Sequence, residues 1–404
     1  MAKLSNSLII EPKKYSSGIA FSLLRRHELN EVLDLGNNWE LILDSKSSYL
    51  ILRGNYIVNN LDEFFNICYE TVQRGLDILS INGKADISIA DGIDEYMIWW
   101  AKQNIQYLRI VRVTDFKMGV STDVTLTDKD GNIIKPNEKP QTRYHESLRY
   151  YRLSQITEDL FDSFRNMYLS FESLLSLHTK RRKSEPEGEW LKRALNNIGS
   201  LNSLEHLFEG TGGSIVNKFY KQIYINVRCS LFHAKGSTKK LVPQNLEDRK
   251  QVAKSLDILT QIVLMLANNL LNTNRENGVI TNIGFSNMIN DNFKSQKILL
   301  SESEKYLSKY EDINNSIHKM SFSFNAQFSK KLSIPGLSYF VGKISPINIT
   351  NVLILNRFSF QVENELFSIH KIDGGLTLDG VNELQFQLGY RLENKNIPKR
   401  RFQY

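Results

Sequence analysis

The sequence predicts an α+β multidomain fold: a central all-α helical bundle at residues 145–275, preceded by an α+β domain (1–144) and followed by a β-rich domain (276–404). Three observations lead there. At 404 residues the chain is longer than one core ordinarily organises. The apolar residues repeat with a period near two toward both ends and near 3.6 in the middle. With 41% hydrophobic residues, 24% charged residues and only 8 Pro, the composition is that of a folded chain and not a disordered one.

From Trp39 to about Lys135 the pattern is one of short β-like runs. They are interrupted by one helix, roughly Asn60 to Asp77, in which Leu61, Phe64, Phe65, Cys68 and Val72 keep helical spacing. "EYMIWWA", "QYLRIVRVTDF" and "STDVTLT" read as strands, and "DKDGN" as a hairpin turn before "IIKP".

Between Leu153 and Thr273 the period changes. Ile156, Leu160, Phe161, Phe164, Met167, Tyr168, Phe171, Leu174 and Leu175 form one stripe, followed by the basic loop "HTKRRKSEPEGE". A shorter helix is expected around Trp190 to Ile198. After "EGTGG", Val216, Phe219, Tyr220, Ile223, Val227 and Leu231 make another stripe, and Leu246 to Leu271 the last long one.

Beyond residue 276 a helix is expected around Ser301 to Tyr310. The strand-like runs "KMSFSFNAQF", "SYFVGKI", "NVLILNRFSFQV", "LFSIHKI" and "ELQFQLGYRL" are punctuated by "PG", "DGG" and "DG". The basic end "NKNIPKRRFQY" reads as frayed.

Charge is uneven. Lys and Arg minus Asp and Glu gives 17 − 19 = −2 for residues 1–144, 19 − 13 = +6 for 145–275 and 15 − 12 = +3 for 276–404. A polyanionic partner fits the middle segment best. The two cysteines, Cys68 and Cys229, cannot build a disulfide framework or a cysteine zinc site, so a reducing interior is expected. "MAKLSNSLII" lacks the apolar stretch of a secretory signal, and "ILTQIVLMLA" is half the length that crosses a bilayer. The expectation is a cytoplasmic protein without a membrane partner.

One segment carries chemistry. In "INVRCSLFHAKG", Arg228 and His233 close an apolar helix, five positions and about 7.5 Å apart along an α-helical axis. His233, with an ordinary pKa of about 6.5, can exchange a proton near neutrality. Arg228 keeps its charge and can grip two phosphate oxygens. If "AKG" ends the helix, His233 sits where the macrodipole favours an imidazolium.

The order "DSFRNMYLSFESLLS", basic loop, shorter helix and "VRCSLFHAKG" resembles the HEPN superfamily, in particular its ApeA-like branch, over Arg152 to Asn272, about a third of the chain. Glu172 in "SFESLL" matches an acidic position of that branch. Cys229 departs from it, because active members commonly place Asn, Asp or His after the motif arginine, and a thiol is a weak hydrogen-bond donor. The resemblance implies cofactor-free, metal-independent RNA cleavage by the ribose 2′-hydroxyl, leaving a 2′,3′-cyclic phosphate. In it His233 is the acid/base, Arg228 stabilises the phosphate, and Glu172 and Cys229 support them. It also implies a homodimer through the helical bundle, two motifs sharing one cleft.

Other motifs read as structural. "TDKDGN" looks faintly like a calcium loop but lacks the downstream Glu, so a hairpin turn explains it. "EGTGGS" is no nucleotide fingerprint, and Ser214 suits an N-cap. Asp86, Asp91, Asp94 and Glu95 have no His beside them, and turns favour Asp. Trp99 and Trp100 alternate faces on a strand, leaving one free to stack a ligand. The functional expectation is an RNA endonuclease acting as a toxin or antiviral-defence effector, with the outer domains sensing a trigger protein or nucleic acid. A non-catalytic HEPN module that binds RNA or nucleotide, or scaffolds a complex, is the alternative.

Overall fold

The computed structural model describes residues 1–11, 13–25, 27–89, 95–117, 125–133, 141–208, 213–232, 240–273, 280–293, 295–303, 320–325, 327–328, 336–344, 354–362 and 365–393. The chain divides into two compact units, one of residues 1–117 with 280–392, the other of residues 118–279 with 393–404.

In the first unit the chain enters through β1 (Ala2–Leu4), β2 (Ser7–Ile10), β3 (Ser17–Ser22), β4 (Glu31–Asp34), β5 (Glu40–Leu43) and β6 (Tyr49–Gly54). α1 (Leu61–Ile81), β7 (Glu95–Lys102) and β8 (Ile105–Lys117) follow. Asn60 caps α1 by accepting from the backbone N–H of Asp62 and Glu63. Its buried stripe, Phe64, Cys68, Tyr69, Val72, Leu76 and Leu79, packs on Ile19, Phe21, Leu41, Leu50, Leu52, Ile98 and Trp100. The expected hairpin turn is present as well and falls within the second unit, with Thr127 bridging Ile133 and Asp128 accepting from the N–H of Asp130 and Asn132.

The helical unit contains α2 (Ser147–Ile156), α3 (Leu160–His178) and α4 (Glu187–Asn196). After a 3-10 stretch (Gly199–Leu207) come α5 (Ile215–Phe219), a π-helical stretch (Tyr220–Cys229), α6 (Ser230–Phe232) and α7 (Leu246–Leu271). The expected stripe of α3 is buried from Leu160 to Leu175, but Ile156 ends the preceding helix and stands exposed. Asp159 breaks the run by capping α3 through the Asp162 N–H. α3, α4, α5, the π-helical stretch and α7 share one apolar core around Phe164, Phe171, Leu191, Phe219, Ile223 and Leu259.

The chain then returns to the first unit through α8 (Asn282–Phe293) and β9 (Ser295–Ser301), β10 (Met320–Asn325), β11 (Gln327–Phe328), β12 (Leu337–Ile344), β13 (Leu355–Val362), β14 (Glu365–Leu376) and β15 (Glu383–Glu393). Of the helix expected from Ser301 to Tyr310, Ser301 is the last residue of β9, Glu302 and Ser303 are irregular, and the rest lies outside the described residues.

These strands overturn the expected architecture of a central all-α bundle between two self-contained flanking domains. Among the described residues one sheet runs β10-β9-β13-β14-β1-β2 and the other β11-β12-β15-β8-β7-β3-β6-β5-β4. Each sheet is built from both ends of the chain: β14 pairs with β1 through Leu376 and Leu4, and β15 lies beside β8. The fold is α+β and dominated by two large sheets, and the helices interrupt a β unit in sequence. The physical reason is that alternation reports which face of a strand is apolar but not which strand it pairs with. Phe386 of β15 joins the sheets face to face, its ring 5.3 Å from Phe358 and 6.2 Å from Phe360 of β13. With a layer on each face, Met97 to Trp100 of β7 are buried without alternation.

Candidate functional site

The π-helical stretch places the motif arginine. A π-helix closes i→i+5 hydrogen bonds and has more residues per turn than an α-helix, so side chains four apart lie closer to one column. Tyr220, Tyr224, Arg228 and Phe232 share that spacing. The Tyr220 and Tyr224 rings stack with centroids 5.1 Å apart. The Arg228 guanidinium carbon lies 5.4 Å from the Tyr224 ring centre and 5.2 Å from that of Phe232, with Tyr168 of α3 at 5.6 Å. At the other end the Lys192 ammonium sits 4.2 Å over Tyr220. The result is a cation–aromatic ladder. Tyr220 is backed by Gly188, where an added Cβ would come within 2.7 Å of the Tyr220 hydroxyl.

The sequence expectation put Tyr220 and Leu231 in the buried stripe of this helix. Both are only partly buried, and Tyr224 takes a buried place beside Ile223 and Val227. A uniform 3.6 period cannot foresee that change of phase.

Glu187, which sequence reasoning did not single out, completes the site from the first turn of α4. Its Oε1 lies 2.9 Å from Arg228 Nη2, the two side chains being 25% and 16% exposed. The ion pair is off-line for a hydrogen bond, and neither Glu187 Oε1 nor Arg228 Nε has a hydrogen-bond partner among the described residues. The signal was available: Glu187 stands at the head of the stripe Trp190, Leu191, Ala194, so helical spacing turns its carboxylate toward the core side.

Burial opposes the charge of Arg228, but Glu187, Tyr168 and Tyr224 outweigh it and its pKa moves upward. Tyr224 is pushed up to about 12, by burial first and then by Glu187. Glu172, half-buried on α3, is raised by burial and by Glu187, against the pull of Arg228 and Arg181. Two carboxylates thus share one cation. Cys229 is partly buried against the core, with its thiol acting on Tyr224 and Arg228. Of the predicted site residues the structure brings Arg228, Glu172 and Cys229 together, whereas His233 lies outside the described residues.

The raised pKa of Glu172 has a consequence for stability. The folded chain holds that proton more tightly than the unfolded one, so the neutral carboxyl is favourable below the shifted value and the charged one costs above it. Glu172→Gln should therefore be the more stable protein at pH 7. Its advantage should shrink as pH falls through the shifted value. Urea midpoints between pH 4 and 8 check this, and a difference that does not change with pH would contradict it.

The other candidates resolve differently. Glu95 pairs with buried Arg112, whose Nη2 also reaches the Tyr49 hydroxyl at 3.4 Å. Asp86 accepts from Ser80 Oγ at 2.6 Å, while Asp91 and Asp94 lie outside the described residues. No cluster of metal-binding side chains occurs among the described residues. Trp99 and Trp100 are both buried, Trp100 stacking on Tyr107 at 5.1 Å, so neither is free for a ligand. Ser214 caps α5 through the Asn217 N–H. Among the described residues no helix is long and apolar enough to cross a membrane.

No family model, curated protein or solved structure matches this chain.

Proposed function

We propose that the chain is a metal-independent RNA endonuclease of the HEPN type, working in the cytoplasm as a toxin or antiviral-defence effector. The observation that carries this reading is the setting of Arg228. Its guanidinium is braced by three aromatic rings and faces a carboxylate without an aligned hydrogen bond. Such a cation is fixed in place, yet its donors are not committed to Glu187. A phosphate that reaches it gains charge-assisted bonds without first breaking aligned ones to the carboxylate. As a 2′-hydroxyl attacks, negative charge grows on the phosphoryl oxygens and Arg228 offsets it. His233 takes the hydroxyl proton or returns one to the departing 5′ oxygen. A homodimer would bring two such pairs into one cleft, and a trigger protein or nucleic acid would act through the sheets.

Two observations favour a second reading, a non-catalytic module that binds RNA or nucleotide or scaffolds a complex. Glu187 already balances Arg228, and Cys229 follows it where a stronger donor would help orient a phosphate.

Purified protein incubated with total RNA in EDTA separates the readings. The expected result is fragments ending in 2′,3′-cyclic phosphate, abolished by His233→Ala with stability kept within about 1–2 kcal/mol. Cleavage lost on chelation and restored by a divalent ion would overturn the His/Arg mechanism, and bound but intact RNA would favour the second reading.

A further inference from the structure

We infer that the loop joining α3 to α4 is a docking track for the backbone of single-stranded RNA, leading into the Arg228 site; this deepens the nuclease reading and rests on it for the meaning of that site. Lys180, Arg181, Arg182 and Lys183 are consecutive and exposed. From Thr179 to Arg193 there are six cations against three carboxylates.

The loop is built, not merely charged. Glu185 accepts from Arg193 Nε and Nη2 at 2.8 and 2.7 Å and from the Arg182 N–H at 2.9 Å. Arg193 Nη2 also donates to the Lys180 carbonyl at 3.1 Å, and Arg181 Nε to the Glu185 carbonyl at 2.7 Å. Trp190, buried in the core, anchors the start by donating from Nε1 to the Thr179 carbonyl at 2.7 Å. Ser184 takes a φ of +66°, which turns the chain back toward α4. One acid and one arginine thus hold the backbone, while the Lys180, Arg182 and Lys183 side chains extend from it into solvent.

Place and partner follow. Arg181 acts on Glu172, and Glu187 begins the next helix, so the track opens beside Arg228. Phe232, 41% exposed, presents its ring to solvent at the end of the same ladder. Cations along a backbone combined with an exposed aromatic ring suit a strand whose bases are unpaired, since duplex bases are already stacked.

The test uses the full chain and a fluorescein-labelled 20-nucleotide RNA carrying 2′-O-methyl groups, which removes the nucleophile and leaves binding alone. Fluorescence anisotropy from 50 to 300 mM salt compares wild type with Lys180→Gln/Arg182→Gln/Lys183→Gln. The substitutions are on exposed side chains, and an unchanged thermal transition verifies the fold. Removing three phosphate contacts should weaken single-strand binding on the order of tenfold and lower the salt slope by about 2. The complementary duplex should bind more weakly than the single strand.

An unchanged affinity and slope, a wild type that binds no RNA, or a preference for the duplex would each overturn the inference. Cleavage of unmodified RNA, assayed in parallel, keeps the two proposals apart. Cleavage with loop-independent binding sinks the track alone, and loop-dependent binding without cleavage sinks the nuclease alone.

Discussion

Arg228→Ala should lower RNA cleavage by about 10²- to 10³-fold, the usual loss when one donor to a developing oxyanion is removed. The protein should stay folded. The substitution strips Glu187 of its ion-pair partner, but both side chains keep some solvent, so the cost should be about 1–2 kcal/mol and well short of a fully buried pair's. Arg228→Lys is the sharper variant, because it keeps the charge. An ammonium offers no planar fork to a phosphate and no flat face to the rings of Tyr168, Tyr224 and Phe232. It should therefore recover little of the lost rate. Single-turnover cleavage of a short RNA, with urea midpoints on the same preparations, measures both quantities. An Arg228→Ala protein within threefold of wild type would remove Arg228 from the chemistry.

How far the site was legible depended on what each pattern encodes. Arg228 stands out in the sequence because it closes a strong apolar helical pattern, whereas Glu172 and Cys229 enter only through the resemblance to the HEPN superfamily, which no apolar spacing encodes. Glu187 was missed because it reaches the site from another helix, across a turn whose geometry depends on Glu185 and Arg193. The π-helical stretch was missed for a related reason, since 3.6 and wider periods diverge by only about one residue over a turn. Among the larger elements, α1, the long α7 and the hairpin at Thr127 to Ile133 carry their own signals in caps and turns. The expected bundle between two separate domains failed on something no local signal carries: the pairing of β1 with β14, residues 4 and 376 in register. Two strands were hidden by shortness, β1 and β2 having only three and four residues. β9 went unread because "SQKILLS" is too short for its period to decide, and it overlaps the helix expected from Ser301 at that one residue.

Phe171→Ala tests whether the ladder depends on the core beneath it. Phe171 is fully buried, its ring 5.7 Å from Tyr168 and 5.1 Å from Phe219. Tyr168 is one of the three rings around Arg228, and Phe219 is the last residue before the π-helical stretch. Truncation leaves a cavity at the point where α3 supports both. The expected loss is about 3–5 kcal/mol, the range for a phenylalanine removed from a packed interior. Because the chain forms two compact units, that loss should shift one transition in a calorimetric scan and leave the transition of the sheet unit in place. Phe171→Leu should restore most of the stability by refilling the space. If the ladder is positioned from below, this variant should still cleave RNA more slowly than wild type, since a leucine offers no ring edge to hold Tyr168 in its tilt. Full activity in Phe171→Leu would mean that Arg228 is set by the helix backbone and by Glu187 alone, and a single common shift of both transitions would mean that the two units unfold as one.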